Sequence, residues 1–329
     1  MSTPITFPAD HYPAARFIKE IGRGKKGARS MTRDDAYQLY AAMLDGRVSD
    51  LELGGILLSM RIKGESVDEI AGFLDAAEAS FPPLPQPAGP FAPVLIPSYN
   101  GARKMANLTP LLALLLAREG VPVLVHGVSR DLGRITTAEI FEAMGLPVAH
   151  DAAGLALAHS LGQPAFMPIE VLAPKMHHLL TLRRVLGVRN STHTLVKILQ
   201  PYAGPALRLV SYTHPEYLEM LAEYFVTAAP PGRGDAFLMR GTEGETVANA
   251  NRANQIDWFH DGQRDLLVPR DAPTDIVAAA PEAREAGPTA EWILRALRGE
   301  EPVPASIAEQ VAQCVQASRR LGSLQAELA

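Results

Sequence analysis

The sequence predicts an α/β protein: a small all-helical N-terminal domain followed by a larger domain built on a mainly parallel sheet. Three observations carry this. Residues 14–81 show apolar residues at helical spacing only. The run PPLPQPAGPFAP, residues 82–93, cannot extend a helix because its prolines lack the amide donor. Beyond it, short β-branched runs alternate with helical ones, the pattern of βαβ units. The chain therefore divides into a flexible N-terminus, 1–13, rich in Pro and Thr; a helical domain, 14–81; a linker, 82–93; and an α/β domain, 94–329, some of whose helices are expected to pack on the first domain.

In the helical domain, residues 16–21 form a first short helix. The helix over 32–44 starts at Met31 or Thr32, with Asp34 and Asp35 in the first turn, where carboxylates suit the helix dipole. The helix over 50–63 takes Asp50 as its N-cap and stops before Gly64, and the helix over 66–79 opens with a capping-box spacing from Ser66 to Glu69. After the linker, strands are expected at 94–96, 121–125, 146–148, 165–167, 207–210 and 236–239. Helices are expected at 108–119, 136–144, 175–186, 214–224, 289–297 and 307–325.

Composition sets the functional bounds. A lone cysteine, Cys314, excludes an intrachain disulfide framework and a cysteine-based zinc site, and points to a reducing, cytoplasmic setting. The N-terminus lacks the basic start and apolar run of a secretory signal, and the longest apolar run, 111–117, is too short to span a bilayer. No membrane partner is expected. The net charge of −5 is unevenly spread. Residues 216–329 carry eighteen acids against ten bases. Residues 171–215 carry six bases (Lys175, Arg183, Arg184, Arg189, Lys197, Arg208) and no acid, and 79–118 carry Arg103, Lys104 and Arg118 with none. Residues 16–63 hold ten bases against six acids.

Four loops hold the chemistry. The first strand runs into IPSYNGARKMANLTP, where Ser98, Asn100 and Gly101 form a turn before a helix, and Arg103 and Lys104 add two cations; a strand–Gly loop–helix junction suits an anion, or is a simple turn. The second strand runs into VHGVSRDLGR, with His126 at the ligand-binding edge of a parallel sheet, or equally a core histidine, and Arg130 and Arg134 nearby. The third, LRRVLGVRNSTHTLVKILQP, interleaves Arg183, Arg184, Arg189 and Lys197 with hydroxyls and amides, a set suited to phosphate unless acids elsewhere pair with it. The fourth, LMRGTEGETVAN, places Glu243 and Glu245 in a glycine-rich turn, either as magnesium ligands or as exposed turn residues.

Taken in order, these motifs resemble anthranilate phosphoribosyltransferase, of glycosyl transferase family 3, over roughly residues 16–300. LDGRVSDLELGGILLSMRIKGES is similar to the family's N-terminal helices, HGVSR to its HGxxR loop, and LRRVLGVR to its VRxxLGxR segment, which carries Arg183 onto the anthranilate-contacting arginine. The resemblance implies a nucleoside phosphorylase/phosphoribosyltransferase-like α/β fold. The departures are specific. The glycine-rich GTGGD loop that cradles pyrophosphate stands here as Ser98-Tyr99-Asn100-Gly101-Ala102; FNxLGPLxNP stands as HTLVKILQP; and the Asp-Glu pair that positions Mg²⁺ is matched only loosely by Glu243-Gly244-Glu245. Side chains in place of glycines obstruct close approach of phosphate to the backbone.

The altered set is similar to that of the YbiB-type branch of the family. That likeness implies a homodimer, joined through the helical domains, that binds single- and double-stranded nucleic acid without sequence preference, has no cofactor and lacks the parent activity. The expected phosphate contacts are Arg103, Lys104, Arg183, Arg184, Arg189 and Lys197 with Asn100, Gly101 and His126, and the outer contacts are Lys25, Lys26, Arg61 and Lys63. Counterion release on neutralising phosphates supplies affinity without base readout. Tyr99, beside two cations, is a candidate for stacking on a base. Two alternatives stand beside this reading. One is an active Mg²⁺-dependent phosphoribosyltransferase with an altered substrate, using Glu243 and Glu245; the other is a module for a small phosphorylated metabolite.

Overall fold

A computed structural model describes residues 8–24, 26–251, 255–270 and 280–328. Four helices open the chain: α1 (Ala15–Ile21), α2 (Arg33–Leu44), α3 (Asp50–Lys63) and α4 (Val67–Ala79). Then come β1 (Val94–Ser98), α5 (Thr109–Arg118), β2 (Val123–Gly127), α6 (Thr137–Ala143), α7 (Ala152–Ser160), β3 (Ala165–Pro168) and α8 (Ile169–Leu172). Three short helices are next, α9 (Pro174–Thr181), α10 (Arg183–Leu186) and α11 (Thr192–Leu195). The last part runs β4 (Leu207–Tyr212), α12 (Pro215–Thr227), β5 (Ala236–Arg240), β6 (Ile256–His260), β7 (Gln263–Val268), α13 (Ala286–Leu297) and α14 (Ala305–Leu328).

The chain forms two compact units. One comprises the residues up to 82 together with 173–199, and the other comprises 83–172 together with 200–329. The basic segment 183–197 therefore lies in the helical unit. The proline-rich residues after 82 join the second unit: the Leu84 amide donates to Pro201 O and the Ala92 amide to Ser318 O.

In the helical unit α2 packs on α4 and α1 on α3. Thr32 caps α2 by accepting from the Asp35 amide. Ser49, not Asp50, caps α3, in a capping box closed by Glu52, and Ser66 with Glu69 makes the same box on α4. The core includes Leu39, Tyr40, Ile56 and Phe73. The Tyr40 ring stacks on Phe73 at 5.0 Å, and its hydroxyl pairs with the Thr192 hydroxyl at 2.8 Å. That bond ties α11 to α2 across 152 residues of sequence.

In the second unit one seven-stranded sheet has the order β3-β2-β1-β4-β5-β6-β7. The first five strands pair in parallel, and β6 and β7 add an antiparallel edge. Alternate residues (Val94 and Ile96, Val123 and Val125, Leu207 and Leu209, Phe237 and Met239) enter a core shared with α5, α6, α13 and α14. Helix α12 lies against β4–β7. The central strands are buried throughout, as expected of a parallel sheet covered on both faces. The strand expected at 146–148 reduces to one bridge, Val148 to Phe166, and the helix expected at 175–186 breaks at Leu182. Among the described residues, no helix is long and apolar enough to cross a membrane.

Candidate functional site

Parallel strands β1 and β2 end side by side, with Ser98 in register with Gly127. The loop that leaves β1 presents a row of backbone amides, and those of Asn100, Gly101, Arg103 and Lys104 are already satisfied by carboxylates of the chain itself. Asn100 N and Gly101 N donate to Glu245 Oε1 at 2.8 and 2.6 Å. Arg103 N donates to Glu243 Oε2 at 2.5 Å, and Lys104 N to Glu243 Oε1 at 2.9 Å. Glu245 is buried, 1% exposed.

The two glutamates reach the loop from a tight turn. Thr242 and Glu245 exchange both backbone hydrogen bonds at 3.0 Å, which leaves Glu243 and Gly244 as the two turn residues. Both have positive φ, 53° and 96°. Gly244 suits this: a Cβ there would stand 2.6 Å from Asn100 Nδ2. Glu243 does not, since a side chain in the left-handed region costs roughly 1–2 kcal/mol. Asn100 Nδ2 and Ser211 Oγ both donate to Gly244 O at 2.8 Å and pin the turn.

This geometry corrects two expectations. Glu243 and Glu245 are acceptors for loop amides rather than an open pair of magnesium ligands, and no group of three or more His, Cys, Asp or Glu among the described residues is arranged to hold a metal ion. Asn100 and Gly101 are likewise not phosphate contacts in this arrangement, because their amides are spent on Glu245 and the Asn100 side chain is 4% exposed.

His126 is also corrected. It is fully buried, its Nδ1 pairs with the Tyr99 hydroxyl at 2.7 Å, and burial pushes its pKa down to about 3, so it is a neutral core histidine without charge for phosphate. The hydroxyl of the half-buried Tyr99 is held by the same bond, and its ring meets His126 near-perpendicularly at 5.5 Å. Arg130 is paired with Glu142 at 2.6 Å, and Arg134 donates to Gly101 O at 3.1 Å. Arg103 and Lys104 remain exposed.

The second set of sites lies in the helical unit. Helix α10 carries Arg183 and Arg184, both exposed, and ends at Gly187, whose φ of 73° turns the chain back. Asn190 fixes the path of the chain into α11: its Nδ2 donates to Leu179 O, and its Oδ1 accepts from Thr192 N at 3.0 Å. Arg189, Lys197 and Arg183 all act electrostatically on the His193 imidazole. Burial first, and these three cations with it, push His193 down to about 3. Four residues spread over fifteen positions of sequence thus share one electrostatic neighbourhood.

The remaining members of the acid-free stretch are not part of it. Lys175 pairs with Asp45 at 2.7 Å, and Arg208 is buried over the Phe225 ring in the other unit. Glu65 lies close to the basic segment, near Ser191, and burial raises its pKa. Among the outer candidates, Arg61 and Lys26 are exposed, and Lys25 lies outside the described residues. Lys63 is corrected. It is 8% exposed and bonded at 2.6 Å to Glu69, a fully buried carboxylate that also accepts from Met31 N and Ser66 N and requires a cation beside it.

Sequence reasoning missed the engagement of Glu243 and Glu245 with the loop and the Tyr99–His126 pair. The only local signal was a Glu-Gly turn where Asn-Gly is the usual choice.

Comparison with known proteins agrees with this architecture. Residues 15–80 match the helical bundle domain of the glycosyl transferase family. The Escherichia coli (strain K12) uncharacterized protein YbiB is 46% identical over 318 residues, covering 95% of this chain and 97% of that protein. The anthranilate phosphoribosyltransferase of Methanopyrus kandleri is 27% identical over 304 residues, covering 87% and 84%. The crystal structure of anthranilate phosphoribosyltransferase from Thermus thermophilus superposes with a TM-score of 0.68 at 22% identity over 94% of this chain and 89% of that one, which establishes the shared fold. With a helical bundle ahead of a mostly parallel sheet, and near-complete alignment to YbiB, the chain belongs to the YbiB-containing, anthranilate phosphoribosyltransferase-like branch of the glycosyl transferase family.

Proposed function

We propose that this protein binds nucleic acid, without reading sequence, through cations displayed on a phosphoribosyltransferase-like scaffold, and that it has no anthranilate phosphoribosyltransferase activity. The observation that carries the binding reading is that Arg183, Arg189 and Lys197 all act electrostatically on His193, with Arg184 exposed beside Arg183 on α10. Guanidinium forks and an ammonium in one neighbourhood suit the oxygens of a phosphate backbone. His193 itself is neutral at ordinary pH and adds no charge to the set. Arg103 and Lys104 supply exposed charge on the other unit.

Loss of the transferase is inferred from the loop after β1. A pyrophosphate arriving there must first displace two carboxylates that hold four amides, and the turn that carries them does not supply a metal site. Self-association suits α3. Leu51, Leu58 and Ile62 are 79%, 47% and 57% exposed and fall on one helical face at spacings of seven and four. A homodimer through that face doubles the number of basic sets. The single buried cysteine suits the cytoplasm.

The test is paired. Filter binding of a mixed-sequence duplex and of a single strand at rising salt is expected to show affinity that falls steeply with salt, to similar degrees for unrelated sequences. Calorimetry with phosphoribosyl pyrophosphate and Mg²⁺ is expected to show no heat. Salt-indifferent or absent DNA binding removes the first half of the proposal, and saturable phosphoribosyl pyrophosphate binding with anthranilate turnover removes the second.

A further inference from the structure

The strand order reverses between β1 and β4, and the crevice outside the C-terminal ends of the strands at such a point is where open α/β sheets take their ligands. Strand β4 ends there at Tyr212 and β5 at Arg240, and these two residues lie in register. The Gly241 amide donates to Tyr212 O at 3.1 Å and carries the pairing past the strand ends. Met239 stands opposite Ile256 on β6, and Ile256 opposite Val268 on β7, so β7 leaves the sheet at this same edge and Arg270 follows two residues on. On the other side of β4 lies β1, whose loop carries Arg103 and Lys104. Four strand spacings of about 4.8 Å separate β1 from β7, an edge about 19 Å long.

This edge is cationic around one ring. Arg103, Lys104, Arg240 and Arg270 are exposed, and Tyr212 is half-buried. Burial raises the Tyr212 pKa and Asp257 adds to this, while Arg240, Arg264 and Arg270 oppose it, so three guanidinium groups act on one phenol. Three acids border the edge. Asp257 is 3% exposed and bonded to Arg264 and Gln255. Glu243 is spent on the Arg103 and Lys104 amides. Glu216, exposed in the first turn of α12, is the third, one carboxylate against four exposed cations.

We propose that this edge takes single-stranded nucleic acid, with a base laid against the Tyr212 ring and the neighbouring phosphates held by Arg103 and Lys104 on one side and by Arg240 and Arg270 on the other. An aromatic ring between cations stacks on an unpaired base and tracks its backbone. A duplex keeps its bases stacked inside and offers the ring nothing, so the same edge meets a duplex through its phosphates alone. The proposal rests on the nucleic-acid reading and adds to it the form of the strand and a contact in the α/β unit.

The test compares a labelled oligo-dT with a mixed-sequence duplex of equal length, by fluorescence anisotropy on the full chain. Tyr212→Leu is expected to weaken oligo-dT binding roughly five- to tenfold and to leave duplex affinity within about twofold of wild type. Tyr212→Phe keeps the ring and is expected to bind oligo-dT as wild type does, which separates loss of the ring from any loosening of β4. Arg240→Gln combined with Arg270→Gln is expected to lower the log K–log salt slope for oligo-dT by about 1.4. An oligonucleotide carrying 5-iodouracil is expected to cross-link to wild type at Tyr212, a readout that needs no variant. Wild type that binds neither DNA sinks the nucleic-acid reading and this proposal together. Wild type that binds DNA, with oligo-dT held equally by Tyr212→Leu or cross-links that avoid Tyr212, overturns this proposal alone, as does an equal loss of duplex and single-strand binding in Tyr212→Leu.

Discussion

If the chain's own carboxylates fill the loop after β1, removing them must reopen it to an external anion. Glu245 Oε1 accepts two buried amides, Asn100 N and Gly101 N, and Glu243 accepts Arg103 N and Lys104 N. Glu245→Gln preserves shape and an acceptor oxygen but converts two charge-assisted bonds into neutral ones, at a cost of about 2 kcal/mol. Glu245→Ala leaves two buried donors without a partner, about 2–6 kcal/mol. Combined with Glu243→Ala, it presents four unoccupied amides beside Arg103 and Lys104. The assay is thermal unfolding with and without inorganic pyrophosphate. An anion that binds only the folded state adds stability as RT ln(1 + [L]/Kd), about 2.7 kcal/mol at one hundred times Kd. The double variant is expected to gain Tm with pyrophosphate while wild type barely moves, because in wild type the anion must displace an internal ligand worth several kcal/mol. Equal shifts in wild type and variant would refute the argument, as would a double variant as stable as wild type that ignores pyrophosphate.

Other predictions address the remaining sites. Each of Arg183→Ala, Arg189→Ala and Lys197→Ala is expected to weaken DNA binding for all sequences alike and to lower the log K–log salt slope by about one, measured by fluorescence anisotropy at several salt concentrations. Lys63→Met strands the buried Glu69 carboxylate and is expected to cost about 3–5 kcal/mol in chemical unfolding, yet to leave the DNA affinity of the folded protein unchanged, the opposite pattern from the arginine variants. His126 and His193, both pushed down to about 3, are neutral in the fold and protonate when it unfolds; their contribution is whole above about pH 6.5 and is lost as pH falls towards 3. Between pH 6.5 and 5 each is expected to remove about 2 kcal/mol, and His126→Gln should flatten the stability–pH curve by one such share. Leu58→Glu, on the exposed stripe of α3, is expected to give a monomer in analytical ultracentrifugation with little change in Tm.

Local chemistry was legible in the sequence, and long-range pairing was not. The helices of 15–79 were readable because Thr32, Ser66 and the carboxylates behind them act within one turn. The one slip there, Asp50 for Ser49, arose because both residues can cap and only Ser49 has Glu52 three positions on. The β6–β7 hairpin was missed although Asp261-Gly262, a favoured two-residue turn, lies between its strands. The basic stretch 171–215 looked uniform because acids were counted along the chain, whereas Lys175 finds Asp45 from 130 residues away and Arg208 leaves for a different unit.

Glu243 and Glu245 show this most sharply. Read along the chain, two glutamates flanking a glycine suggest a metal or an exposed turn, since no near neighbour in sequence asks for a carboxylate. What asks for them is a row of amides 139–145 residues earlier. A left-handed glutamate at the first turn position is unfavourable on its own, and asparagine would make the same turn with less strain. Its presence is accounted for by the bonds its carboxylate makes to Arg103 N and Lys104 N. An Asn side chain reaches less far and presents one oxygen, so Glu243→Asn should relax the turn and loosen the loop together. Faster amide exchange at Arg103 and Lys104, with exchange at Thr242 and Glu245 unchanged, is the expected signature. If the loop amides stay protected in that variant, something other than the carboxylate holds them, and the account of a self-filled anion loop fails.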